Sequence, residues 1–424
     1  MRQIVGVPAF RRLLAAYGLN ELTWSFGTIA LAVLVYRRTG SALGTTAFFL
    51  CSQFAPALVS PLMVARLTGV DHRRVLRFLY GLEAALFGLL AWMAAHFSIV
   101  PMLAVILIDG VVALSARAVA RTATVDVLRP RGLLHEGNAI INVVFSVCFM
   151  AGPAIGGLVV AAGGTVASLL VNCGLFAIIA LVLAVTALPT AQIDEEDLGR
   201  TGHQRLRAAL AHARGDLVVR RLLILQSAGM AAFTISIPVE VVFAQHSLHA
   251  GAGGYGAMLS GWGAGAVVGS AAYARYRRRP GRALLAASGI ALGVGFAIIA
   301  TAPTIVIAVV GSALGGAGNG SGSVAGRTML QEYTRQRWMG VIMGLNESVS
   351  QAAPGVGFVL GGLLAAATDP RVALAVAAAG SLAYAGAVWM LLGPVAIGEP
   401  PEPSDSRAGS PSPTAVPEGH GTLV

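Results

Sequence analysis

The sequence predicts an all-α membrane protein of twelve transmembrane helices, arranged as two six-helix halves related by internal duplication. Three observations predict it. The 424 residues are 56% hydrophobic and only 11% charged, against roughly 25% charged in soluble domains. Apolar runs of the length that crosses a bilayer, about 20 residues, recur along nearly the whole chain. And one long stretch, Ser115 to Val160, has a second copy some two hundred residues later.

The apolar runs fall at about 13–35, 43–65, 75–96, 99–120, 137–161, 165–188, 219–244, 253–275, 283–301, 304–326, 339–366 and 372–395. All 29 Lys/Arg positions are arginine, and their distribution orients the runs. If the N-terminus is inside, 26 arginines fall in inner segments and three (Arg37, Arg38 and Arg371) in outer loops. This positive-inside bias predicts two cytoplasmic termini. It also explains the net charge of +10 better than nucleic-acid binding does. The first run has no small-residue cleavage site and is read as a span rather than a signal peptide. Cys51, Cys148 and Cys173 lie singly in apolar runs, so no disulfide framework or metal site is expected.

These runs divide the chain into four parts. Residues 1–188 form a first six-helix bundle and 219–396 a second. The linker, 189–218, starts acidic and turns basic, and its RLRAALAHAR segment is expected to be a short helix on the membrane surface. The tail, 397–424, is rich in Pro, Ser and Gly and is expected to be disordered.

The duplication is visible at three places in order. Arg121-Thr122 aligns with Arg327-Thr328, and the glycines Gly152, Gly156 and Gly157 align with Gly357, Gly361 and Gly362. Ala65-Arg66, Arg73 and Leu76 align with Ala274-Arg275, Arg282 and Leu285, and Pro101 and Pro303 each open a fourth span. Repeats of such segments are the mark of a duplicated membrane bundle.

At these residues the chain resembles the major facilitator superfamily. The loop ARLTGVDHRRVL between the second and third spans, with Arg66, Asp71, Arg73 and Arg74, is similar to the family's signature loop G-x-L-A-D-R-x-G-R-R. Gly152-Pro153-Ala154-Ile155-Gly156-Gly157 in the fifth span resembles the motif of its proton-exchanging exporters. LVYRRTGSAL and PVEVVFAQHSL resemble the drug/proton antiporter branch that includes macrolide and enterobactin exporters. Two departures stand out. The signature aspartate slot holds Gly69, with Asp71 two places on, and Arg121 is expected to be its altered partner. The fourth-span arginine often tied to proton coupling has its slot near Ile106, and Arg117 lies about three turns further toward the cytoplasm.

The resemblance implies a substrate cavity between the halves, surrounded by spans 1, 4, 7 and 10. Ionisable groups within apolar spans cost about 2.5–3.5 kcal/mol each at mid-helix and usually face a cavity or a partner. Glu21 and Asp109, at mid-depth in spans 1 and 4, are therefore candidates for substrate or proton binding, with a structural, paired carboxylate as the alternative for each. Trp24 and Trp262, deep in spans 1 and 8, would line an aromatic site or simply pack. Trp92, Trp338 and Trp389 are read as interface anchors. Asn142, Gln226, Asn319 and Gln351 are candidate hydrogen-bonding groups. Glu347, beside Asn346, is either a substrate residue or one that gates or packs the helix. Glu240 follows Pro238, which kinks the helix; it is either an outer gate or an interfacial glutamate. Glu83, in the usually peripheral third span, is expected to pair with a cytoplasmic arginine. Arg117, Arg121 and Arg327 are assigned to gating.

The function these features support is secondary active export of a small amphipathic molecule (a drug, antibiotic or siderophore-like metabolite) from the inner membrane. It would run by proton antiport with alternating access, in a monomer needing no cofactor. The implied partners are the substrate, protons and the lipid bilayer, with no nucleic acid. An importer or facilitator on the same fold is the alternative, which the fifth-span motif disfavours. A membrane sensor would want a folded soluble domain. An enzyme would need a nucleophile, base or metal cluster, and the sequence has none. The topology is directly testable: a C-terminal reporter that fluoresces only outside the cytoplasm should stay dark, and a bright signal would overturn the orientation read from the arginines.

Overall fold

The computed structural model describes residues 6–67, 71–186, 188, 216–334 and 339–392, and within 339–352 several side chains, including those of Glu347 and Gln351, lie outside the description. The linker helix, the tail, Gly69, Arg335, Arg337 and Trp338 also lie outside it. Among the described residues the secondary structure is entirely helical.

The first helix, α1 (Pro8–Thr39), opens on a proline and closes on Gly40, whose left-handed φ of 59° lets its N–H donate to Tyr36 O at 2.8 Å. Ser41 then caps α2 (Ala42–Phe49), accepting from Gly44 N. A π-turn over Leu50–Phe54 carries this helix into α3 (Ala55–Leu67). Next come α4 (His72–Ala95), α5 (Ile99–Leu128) and α6 (Leu134–Ala184). At 51 residues, α6 is far longer than a bilayer requires, and it turns at Gly164, where φ is 80°, so it holds two of the expected runs.

The second half begins with α7 (Leu217–Thr234), capped by the Asp216 side chain. The helix breaks at Ile235 and resumes as α8 (Ser236–Val242) and a π-turn over Phe243–Ser247. Pro238 has no N–H for the carbonyl of Thr234, which accounts for the break. Then follow α9 (Gly251–Tyr276), α10 (Gly281–Thr301), α11 (Ile305–Tyr333), α12 (Met339–Ala367) and α13 (Pro370–Leu392).

Nine helical segments among the described residues are long and apolar enough to cross a membrane, fewer than the twelve expected. The differences have physical reasons. Two expected runs merge in α6, α9 is diluted by glycine, and α12 adjoins residues outside the description. Large apolar side chains such as Leu62, Phe78, Trp92, Leu158, Leu181 and Met390 point outward, as a lipid-facing belt requires.

Helices in lipid gain little from hiding apolar surface from each other and associate through close packing at small residues. Glycine provides that here. A Cβ on Gly152 would lie 2.7 Å from Ser25 Oγ, and one on Gly156 would lie 2.9 Å from Phe26, so these two glycines seat α6 on α1. Gly157 faces across to the second half, where its Cβ would meet Ala252 O at 2.7 Å. The aligned glycines of α12 behave in parallel. Gly357 and Gly361 press on α7 and its break at Thr234 and Ile235, while Gly362 presses on Thr46 of α2. Arg12 donates to Val185 O at 2.7 Å and Arg221 to Leu391 O at 2.8 Å, each tying the first helix of a half to the end of the last.

The halves meet at the arginine-poor end of the bundle. There α8 packs on α2, and Arg37 Nε donates to Gln245 Oε1 at 3.2 Å. At the other end, His72 Nε2 lies 2.9 Å from Asp126 Oδ2, joining α4 to α5. Asp71 does not reach Arg121 as expected. Its carboxylate caps α4 by accepting from Arg73 N at 2.9 Å and lies 3.8 Å from Arg74 Nε. The two-residue displacement puts it at the helix start, where its own backbone satisfies it. Arg73 instead donates to Ala184 O at 2.7 Å, and Arg66 is exposed.

Gly157→Val should destabilise the detergent-solubilised protein by about 1–3 kcal/mol, the usual cost of overpacking. Gly81, which has nothing within 4 Å of its Cβ position, is the control. Gly81→Ala should be neutral or stabilise by up to about 1 kcal/mol. Thermal unfolding of the two variants checks this, and equal melting points would show that the glycine contact is not structural.

Candidate functional site

Four cavities lie along the interior, and the expected site residues distribute among them unevenly. The first, of about 210 Å³, is enclosed by α1, α2, α4 and α5 and is lined by Trp24, Gln53, Glu83, Asp109 and Arg117. The second, about 350 Å³, lies nearer the arginine-rich end and brings Tyr17, Glu21, Arg121 and Asn142 together. Arg117 and Asn20 line both.

Glu83 corrects the sequence expectation. It is not a peripheral residue paired with a cytoplasmic arginine: it is 0% exposed and faces the cavity with Asp109. The reason is the stripe Leu76, Leu79, Tyr80, Phe87, Leu90 and Ala94, the buried face of α4, with Glu83 at its centre. Phe78, Leu89 and Trp92 form the opposite, exposed face.

Both Glu83 carboxylate oxygens, Asp109 Oδ1, Arg117 Nε and Ser52 Oγ are buried without a hydrogen-bond partner among the described residues. Glu83, Asp109 and Arg117 lie within electrostatic reach of one another. The Arg117 guanidinium sits 6.0 Å from the centre of the Trp24 ring, a cation–π distance. Arg117 thus belongs to the cavity and not to a remote gate. Two carboxylates against one guanidinium leave one negative charge if both ionise, so one proton or one cationic group balances the set.

Glu21 is 8% exposed and stands in the neighbouring cavity, apart from Asp109. Buried Asn172 of α6 donates from Nδ2 to Thr23 O of α1 at 3.0 Å.

The third cavity, about 240 Å³, is built from the second half alone and gathers Gln226, Asn319, Ser323, Arg327, Asn346 and Tyr384. Among the described residues it is lined by amides, hydroxyls and one arginine, with no carboxylate. The fourth, about 150 Å³, lies on the seam between the halves and is lined by both deep tryptophans, Trp24 and Trp262, together with Glu240. Trp262 is buried and stacks on Phe233 and Phe296 at 5.2 and 5.7 Å. Pro153 of the Gly-Pro motif lines the same cavity. Of the expected interface anchors, Trp92 and Trp389 are exposed, with His96 and Arg282 against their rings. The structure therefore groups Asp109 with Glu83 and Arg117, groups Trp24 with Trp262, and keeps Gln226 and Asn319 separate from both.

The described residues therefore form a helical bundle with apolar side chains on its flanks, polar cavities within each half and one aromatic cavity on the seam. The description "Major Facilitator Superfamily" matches residues 222–419. Over 242 residues the chain is 26% identical to the multidrug efflux pump Tap of Mycobacterium tuberculosis (strain ATCC 25618 / H37Rv). That match takes in 54% of this chain and 55% of the pump, so the chain spans about half the length of the curated relative it matches. In three dimensions it resembles the nucleoside transporter NupG, with a TM-score of 0.73 at 14% identity over 91% of this chain and 99% of that one. A bacterial homologue of the iron transporter ferroportin gives a TM-score of 0.69 at 13% identity, over 90% of this chain and 98% of that one. The likeness to the major facilitator superfamily is thus carried in sequence by residues 222–419 and in fold by nearly the whole chain.

A fully buried, unpartnered carboxylate opposes folding. Glu83→Gln should therefore leave the protein as stable or raise its melting point, while cutting gradient-driven transport by at least about tenfold, the pattern of a site retained for function. A fall in stability with transport intact would make Glu83 structural.

Proposed function

We propose that this protein is a secondary transporter of the inner membrane that exports a small amphipathic molecule in exchange for protons. The observation that carries the reading is the cluster of Glu83, Asp109 and Arg117 at the foot of Trp24, one ring away from a cavity shared by both halves. Antiport requires two sites whose occupancies exclude each other, each biasing the same two-state element. The carboxylate pair is suited to hold the proton and the seam cavity to hold the substrate. Glu21, in the adjoining cavity with Arg121 and Asn142, is a second proton-binding group on the path from the arginine-rich end. The likeness to a multidrug efflux pump supports export, as does the Gly-Pro motif in α6.

The reading includes twelve spans in two duplicated halves, both termini in the cytoplasm, a linker at 189–218 and a tail at 397–424, all in a monomer. The paired glycine and arginine contacts of the two halves support the duplication. With the arginine-rich end inside, the closed seam at the arginine-poor end is an outer gate. Glu240, Arg37 and Gln245 lie near it, and Glu347 and Gln351 belong to the helix opposite.

Reconstitution of the purified protein with a panel of amphipathic drugs, watched for substrate-induced proton flux, tests the proposal. Flux above that of empty liposomes, lost in Asp109→Asn, is the expected result. Substrate movement with no accompanying protons would make the protein a facilitator.

A further inference from the structure

We propose that the seam cavity is a cation-binding subsite, an aromatic box closed by the Glu240 carboxylate, which takes the ammonium or similar positive group of the transported molecule. The proposal rests on the transport reading above and deepens it by naming the chemistry of the substrate. At about 150 Å³ the cavity matches one that holds a benzene-sized group, so it would admit the charged head of a larger molecule and not the whole.

Its walls are aromatic side chains drawn from both halves: Trp24, Phe49 and Phe149 from one, Phe233, Tyr255 and Trp262 from the other. Glu240 is the single ionisable carboxylate on the lining and is 6% exposed. Ser236 Oγ donates to its Oε1 at 3.0 Å, which occupies one oxygen. Among the described residues no arginine or histidine lines the cavity. The cations nearby are otherwise engaged, Arg37 with Gln245 and Arg371 over the Phe243 ring. A buried acid without its own cation, set among aromatic faces, is costly as a packing device. It is instead what a cationic guest needs: ring quadrupoles around it and one counter-charge.

Trp24 gives the box a route to the proton site. The ring lines both the seam cavity and the Glu83–Asp109 cavity, and Arg117 sits against it at 6.0 Å. A cation in the box therefore lies one ring from a guanidinium of the same sign. Occupancy of one side biases the other, as exchange requires.

The test uses isothermal titration of the full-length protein in detergent with benzyltrimethylammonium and with neopentylbenzene, its neutral isostere. The cation should bind at least about tenfold more tightly than the isostere, and Glu240→Gln should weaken it by about tenfold. If Glu240→Gln fails to fold, a second pair decides. Trp24→Phe should retain most of the affinity and Trp24→Leu should lose it. Equal affinity for the two probes, or none for the cation, would overturn the box. So would a well-folded Glu240→Gln, or a Trp24→Leu, that binds the cation as the parent does. Proton flux in liposomes is read separately. Flux driven by a neutral amphiphile without cation binding would sink the box and leave transport standing. Cation binding by the box without flux for any compound would keep the box and sink antiport.

Discussion

What holds this bundle together is contact between backbones, and glycine permits that contact. In hydrocarbon the apolar surface of a helix is as well solvated by lipid as by another helix, so shape and close approach decide association. Along α9 and α11 the approach is continuous: a Cβ on Gly265, Gly269, Gly316 or Gly320 would run into a carbonyl of the facing helix. Such a surface cannot adjust gradually. The seam between the halves uses the same chemistry, through Gly157, Gly256 and Gly263 where α6 meets α9 and through Gly362 where α12 meets α2. Close backbone approach thus operates both within a half and between halves.

Much of this was legible in the sequence. The helical class, the succession of apolar helices and the glycine patches follow from composition and hydropathy, because bilayer thickness fixes helix length. Gly152, Gly156 and Gly157 were readable as a packing surface, though not which glycine faces which helix. Glu83 was within reach and was misjudged. Its helix shows an apolar stripe at i, i+3, i+4 and i+7 spacing with the glutamate at the centre, which argues for burial whatever place the span holds in the family. Asp71 was misread for the opposite reason. A family motif was carried across a two-residue displacement, when an Asp just before a helix start is first of all an N-cap.

The groupings were not legible. Asp109 and Glu21 occupy similar depths in neighbouring spans, yet they line different cavities, with only Asn20 and Arg117 common to both. Arg117 was measured along the helix axis and seemed too far toward the cytoplasm, but an arginine side chain covers more than a helical turn. The seam cavity could not be inferred at all, since it joins side chains more than two hundred residues apart through the register of α6 on α9. Only the two deep tryptophans hinted at it.

The interior is also asymmetric when the two halves are laid over each other in sequence. Under the 209-residue offset that relates the early helices of the two halves, Glu21 corresponds to Met230, Glu83 to Leu292 and Arg117, by the slightly shorter later offset, to about Gly322 or Ser323. The aligned pair Arg121 and Arg327 is retained, each on a cavity of its own half. The polar cavities of the two halves therefore differ in chemistry: the first half's carry carboxylates and guanidinium groups, and the second half's, among the described residues, amides, hydroxyls and one arginine. The buried carboxylate described in the second half, Glu240, lies instead on the seam, where Trp24 of one half meets Phe233 and Trp262 of the other. The costly buried charge of the second half is thus placed where the two halves meet and not within its own polar cavity.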